Sequence, residues 1–111
     1  MLAAGAEVNH ADNNGTTALY QAACNGKVEA IQVLLAAGAE VDHADNNGCT
    51  ALYQAAYNGK VEAIQVLLAA GAEVNHASND GRTPLAAART PAQAARNHQA
   101  VLALVQAGAT E

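Results

Sequence analysis

Along this chain short apolar runs alternate with polar turn clusters. The cluster Asp45-Asn46-Asn47-Gly48 is followed by a run in which Leu52, Ala55 and Ala56 fall at helical spacing. Asn58-Gly59 interrupts that run. A second run carries Val61, Ile64, Leu67 and Leu68 at helical spacing, and Gly71 closes it. The pattern predicts a tight turn at Gly48, a helix over 51–58 capped by Thr50, a turn at Gly59, and a longer helix over 60–70. Neither helix is long enough to be stable alone in water. Their alanine faces allow close packing, and a neighbouring unit must bury the rest.

The neighbour is a copy. Residues 1–33 match residues 34–66 at all but four positions: Met1 for Leu34, Asn9 for Asp42, Thr16 for Cys49 and Cys24 for Tyr57. The copy continues over 67–85. A fixed period of 33 residues marks a repeat architecture, in which each unit contacts its neighbours and stability is roughly a sum over units and interfaces.

From Leu85 the pattern changes. The stretch HQAVLALVQAGA aligns with VEAIQVLLAAGA after a four-residue insertion that contains Thr90 and Pro91. A Thr N-cap followed by Pro at the first helical position starts helices well. The expectation is a short helix from about Pro84, a break near Thr90, and a long helix from Pro91 to about Ala107 that Gly108 ends. This last unit is richer in Arg, Gln and Asn than the others, as an outward-facing cap requires, and its arginines read as solvation.

Asp45, Gly48, Thr50, Leu52, Ala55, Ala56, Gly59, Leu67, Leu68, Gly71 and Ala72, with Thr83-Pro84-Leu85 in the third unit, closely resemble the ankyrin repeat motif, whose period is also 33. Ala18 and Ala51 depart from the motif's Pro, Tyr20 and Tyr53 from its His, and Gln21 and Gln54 from a usual Leu. The two Gln amides are expected to be hydrogen-bonded or edge-exposed. The resemblance implies an all-α solenoid of stacked helix-turn-helix units with hairpin-like β-turn fingers. It is read as one domain: 1–11 as the tail of a preceding repeat, repeats at 12–44 and 45–77, and a C-terminal capping repeat at 78–111. The first full repeat is nearly identical to an internal one. Its N-terminal side is therefore expected to be apolar and uncovered, as in a fragment of a longer array or a face covered by another copy.

Charge narrows the partners. Residues 1–81 carry two Lys against nine acids, net −7, and residues 82–111 carry three Arg and one Glu, net +2. An acidic solenoid is a poor nucleic-acid binder and is not drawn to an anionic membrane surface. No apolar run approaches a membrane span, and no signal peptide is visible. Cys24 and Cys49 fall about 10 Å apart along the expected stack, beyond disulfide reach. Free thiols suit a reducing compartment, and the expected location is cytoplasmic.

Chemistry finds little to stand on. His10, His43 and His76 recur at the repeat period, but equivalent positions in stacked repeats stand about 10 Å apart, too far for one zinc ion. They read as finger-base residues bonding to backbone, and His98 is isolated in the cap. Glu29 and Glu62, each two residues after a Lys, read as a solvated face. There is no nucleophile elbow, no phosphate-cradling loop and no CxxC. The expectation is a non-enzyme with no metal and no cofactor.

Within the turns and helices, the two copies differ only at Thr16/Cys49 and Cys24/Tyr57, and the third unit has Arg82 at the first of these positions. The resemblance places both positions on a concave, partner-binding side. The expected function is binding of a partner protein through the concave face and finger tips. The candidate residues are Asn13, Asn14, Thr16, Tyr20, Cys24, Asn46, Asn47, Cys49, Tyr53, Tyr57, Asn79 and Arg82. Tyr20 and Tyr53 read equally well as partly buried between neighbouring fingers. Two alternatives stand beside this function: a homo-oligomer assembled through the uncapped N-terminal face, and a targeting segment of a larger enzyme or effector.

Overall fold

A computed structural model describes residues 8–90 and 97–109. The described residues form three helix pairs and no strand: α1 (Ala18–Cys24) with α2 (Val28–Ala36), α3 (Ala51–Tyr57) with α4 (Val61–Ala69), and α5 (Pro84–Ala88) with α6 (His98–Gln106). Within one residue at each end, α3 and α4 are the helices that the apolar spacing predicts.

Local chemistry sets the helix ends. Thr17, Thr50 and Thr83 each sit in extended backbone, and each hydroxyl accepts from the amide three residues on, at 3.2 Å. Such a cap contributes about 1 kcal/mol. Pro84 adds a preset first helical position to α5. The longer helices end on glycines at positive φ, Gly38, Gly71 and Gly108. There Ala39, Ala72 and Ala109 donate back to Leu34, Leu67 and Leu104. This closure satisfies carbonyls that the helix end would leave open.

The first helices stack in the order α1, α3, α5, and the second helices in the order α2, α4, α6. Between the two layers runs one core of Leu19, Ile31, Leu52, Ile64, Leu67, Leu85 and Leu104, with Ala22, Ala23, Ala55, Ala56, Ala88 and Ala100 between them. Fully burying each large aliphatic contributes about 1.5–3 kcal/mol, and the alanines set how closely the layers approach.

The fingers are tied to one another. The Asn46 backbone N–H donates to Asn14 O at 3.0 Å, and its side-chain amide donates to Asn13 O at 2.9 Å. Asn79 repeats both bonds, to Asn47 O at 2.8 Å and to Asn46 O at 3.0 Å. Gly48 lies against this rung at φ 80°, where an added Cβ would stand 2.6 Å from Asn79 Oδ1. A second rung joins the fingers' bases: Asn9 Oδ1 accepts from Glu40 N at 2.7 Å and Asp42 Oδ1 from Glu73 N at 2.9 Å.

The third unit departs from expectation. The break falls as expected, with α5 ending at Ala88. The continuous helix from Pro91 to Ala107 does not form, because Asn97 is non-helical and α6 begins only at His98. Residues 91–96 lie outside the described residues. The expected start at Pro91 lies among them, and the buried Thr90 hydroxyl has no hydrogen-bond partner among the described residues. Asn97 is held out of helical geometry by its side chain. It is 1% exposed, and its amide reaches Ala56 O, Tyr57 O and Ala88 O at 3.2, 3.0 and 3.2 Å. Those bonds take up carbonyls at the ends of α3 and α5 and clamp the third unit to the second.

Candidate protein-binding surface

The finger turns are built by an acid or hydroxyl at their first position. Asp12 Oδ1 accepts from Asn14 N and Thr16 N, both at 2.9 Å, and Asp45 Oδ1 accepts from Asn47 N at 2.8 Å and Cys49 N at 2.9 Å. The third finger has Ser78, whose hydroxyl bonds Asp80 and accepts from Arg82 N. These bonds hold the Asp12 and Asp80 carboxyls below the usual range, chiefly through the Thr16 and Ser78 hydroxyls.

The predicted site residues divide between those that hold the stack and those that remain available. Asn46 and Asn79 spend their side-chain amides on the preceding finger. Asn13, Asn14 and Asn47 offer backbone carbonyls to the following finger and keep exposed side chains. Thr16 donates to Asp12 Oδ2 at 2.6 Å and accepts from Gln21 Nε2 at 3.2 Å. Tyr20 is 8% exposed, and its hydroxyl donates to Asp45 Oδ2 at 2.6 Å, across the boundary between units. Burial, that bond and the Asp45 charge push its pKa well above the usual phenol value. Cys49 is also buried, which raises its thiol to about 11, with Asp45 and Asp80 adding. Tyr20 and Cys49 thus offer a partner little surface.

Tyr53 stands where Tyr20 stands in the first unit, but it is only half-buried. Ser78 replaces Asp45 at the facing position, too short to draw the phenol in. Tyr53, Asn47, Cys49, Ser78, Asn79 and Asp80 line an open hollow of about 320 Å³. The charge of Arg82 acts on both Tyr53 and Asp80, so its guanidinium lies beside the hollow. Burial raises the Tyr53 pKa, the Cys49 thiol adds to that, and Arg82 opposes it. Tyr57, one helical turn beyond Tyr53 on the same face of α3, is 37% exposed. Cys24, half-buried at the end of α1, approaches Gln54 Oε1 with its sulfur at 3.7 Å. Both Gln amides are hydrogen-bonded, Gln54 to this thiol and Gln21 to Thr16.

Sequence reasoning passed over Asp45, Ser78 and Asp80, which shape the hollow. The period of 33 already sets Asp12, Asp45 and Ser78 at one finger position, which was the signal available. The histidines differ from expectation in their side-chain partner: His43 Nδ1 lies 3.6 Å and His76 Nδ1 3.0 Å from the carboxylate of the Glu three residues before each, Glu40 and Glu73. Among the described residues no three His, Cys, Asp or Glu side chains converge. No helix among the described residues is long and apolar enough to cross a membrane.

No curated protein matches the chain. A family model of three ankyrin repeats matches residues 1–78 and, overlapping them, 43–110. With helix pairs stacked through repeating finger rungs, and that match spanning nearly its whole length, the chain belongs to the ankyrin-repeat family.

Proposed function

We propose that the chain binds a partner protein through the side of the stack that carries the fingers and first helices, centred on Tyr53, Tyr57 and Arg82. Ankyrin repeats generally serve as protein-interaction modules. The observation that carries the placement is the hollow beside Tyr53. There a half-buried tyrosine lines an opening between two fingers, an exposed arginine acts on that tyrosine, and an exposed tyrosine stands one turn further along α3. Tyrosine and arginine dominate interface energetics because each combines a large contact area with directed hydrogen bonds. The finger residues Asn13, Asn14 and Asn47 would form a polar rim. Tyr20, Cys49, Asn46 and Asn79 would support that surface from beneath. This is a non-covalent function, acting as one binding unit in a reducing compartment such as the cytoplasm, where both free thiols persist.

The test is capture on immobilised protein from the source cell extract. A native chain is compared with a variant combining Tyr53→Ala, Tyr57→Ala and Arg82→Ala that keeps its native circular dichroism. A partner retained by the first and lost by the second supports the reading, and capture indifferent to the variant refutes it.

A further inference from the structure

Two tyrosines at one position of the repeat meet different fingers. Tyr20 is buried, and its hydroxyl donates to Asp45 Oδ2 of the finger ahead at 2.6 Å. The other oxygen of that carboxylate accepts the Asn47 and Cys49 backbone N–H groups of its own turn. Tyr53 occupies the same place one unit later, and the finger ahead of it has Ser78 at the position of Asp45. The Ser78 hydroxyl is engaged within its own turn, by Asp80 and by the Arg82 backbone N–H. The Tyr53 hydroxyl has Arg82 beside it, and a guanidinium can donate to the phenol oxygen but cannot accept its proton. Among the described residues the Tyr53 hydroxyl donates to no acceptor.

The hollow of about 320 Å³ beside Tyr53 therefore has two donors, the phenol and the guanidinium, and room for a side chain between the fingers. At neutral pH two formal charges act on Tyr53, Asp80 and Arg82, of opposite sign. At Tyr20 the one formal charge is the Asp45 carboxylate. A carboxylate entering the hollow would bring its group to net −1, the charge that the boundary before it already carries. An entering ammonium or guanidinium would bring the group to net +1 and would leave the phenol proton without an acceptor. Residues 82–111 carry net +2, so the hollow adjoins the basic end of an otherwise acidic chain.

We propose that this hollow takes the side-chain carboxylate of a glutamate or aspartate on an acidic segment of the partner protein. The carboxylate would accept from the Tyr53 hydroxyl and the Arg82 guanidinium, in the place that Asp45 fills one unit earlier. The proposal rests on the reading that this surface meets a partner, and it names the chemistry of the segment that enters. Hydrogen bonds to an ionised group are about twice as strong as neutral ones, and a guanidinium can meet a carboxylate through two parallel N–H groups. The occupant would complete for Tyr53, from outside, the bond that Tyr20 makes within the stack.

The probe is the acetylated and amidated peptide Gly-Gly-Glu-Gly-Gly, titrated into the 111-residue chain. Nuclear magnetic resonance follows the Tyr53 ring and the Arg82 Nε–H. The same peptide with Gln or Lys in place of Glu is the control. The expected result is a saturable shift of both resonances with the Glu peptide, binding at least about tenfold weaker with the Gln peptide, and no shift with the Lys peptide. Two variants, each checked for native circular dichroism, locate the site. Ser78→Asp combined with Asp80→Asn gives the third finger the Asp-Asn-Asn order of the second and leaves net charge unchanged. Its own carboxylate should hold Tyr53, and the Glu peptide should no longer move the ring. Tyr53→Phe keeps the hollow and removes the phenol donor, and should weaken the Glu peptide about tenfold at the Arg82 resonance. Equal response to the Glu and Gln peptides, preference for Lys, no saturable shift, or undiminished binding to either variant overturns the proposal. A partner that the Tyr53, Tyr57 and Arg82 triple variant loses, but that binds the native chain through no acidic side chain, overturns the carboxylate and leaves the surface standing. Capture indifferent to the triple variant removes the surface and the proposal with it.

Discussion

The Tyr20 hydroxyl and the Asp45 carboxylate meet at 2.6 Å across the boundary between the first and second units. Helices α1 and α3 differ only in their last residue, yet Tyr20 is buried and Tyr53 is not. The difference lies in the finger ahead, which supplies an Asp to one tyrosine and a Ser to the other. Tyr20→Phe should therefore cost about 1.5–3 kcal/mol, the range for a hydrogen bond to a charged group. Tyr53→Phe should cost less. Urea unfolding of the two variants measures both.

The same bond gives an alkaline signature. The folded-state pKa of Tyr20 lies above the ordinary 10.0, so the neutral phenol is the form that folding favours. Its contribution is complete below pH 10 and is lost as pH rises through the folded-state value. Native protein should lose stability above pH 10, and Tyr20→Phe should lose less over that interval. Tyr53 and both cysteines shift in the same direction, so the difference between the two proteins carries the result.

Asn97 is the point at which the third unit is most easily detached. Asn97→Ala removes the donor to Ala56 O, Tyr57 O and Ala88 O; Ala56 O keeps the Gly59 N–H, and the loss at Tyr57 O and Ala88 O should cost about 1–3 kcal/mol. Asn97→Asp should be worse at neutral pH, since a carboxylate would face three carbonyls, and should recover partly in acid when it can donate. Thermal melts at two pH values separate the variants.

The finger rungs are expected to be unequal in effect. Asn46→Ala loses the bond to Asn13 O and should cost about 0.5–1.5 kcal/mol. Asn13→Ala should leave the stability of the dilute chain unchanged, because its amide has no acceptor among the described residues. The pair is compared by urea unfolding at low protein concentration.

Much of the fold was legible because duplication repeats each signal. The glycine stops, threonine caps and aliphatic spacing recur in register, and each copy checks the other. What escaped notice depends on what sits opposite. Asn97 lies in a polar stretch that patterns as helix, and only the packing of α5 against α3 turns its amide inward. Cys49 and Tyr20 looked like contact residues at variable or amphipathic positions, and the neighbouring finger buries them. Tyr53 keeps its exposure where Ser78 stands in place of the Asp45 that holds Tyr20.

The central claim is that binding energy concentrates on Tyr53, Tyr57 and Arg82. It is tested most directly by the dissociation constant of the captured partner, measured by titration calorimetry against three proteins. These are the native chain, the Tyr53→Ala, Tyr57→Ala, Arg82→Ala variant, and a control with Gln32→Ala and Gln65→Ala on the exposed side of α2 and α4. The expected result is weakening on the order of a hundredfold for the triple variant, a loss typical of central aromatic and arginine anchors, with little change for the control. Native affinity in the triple variant, or equal loss in both, would contradict the account.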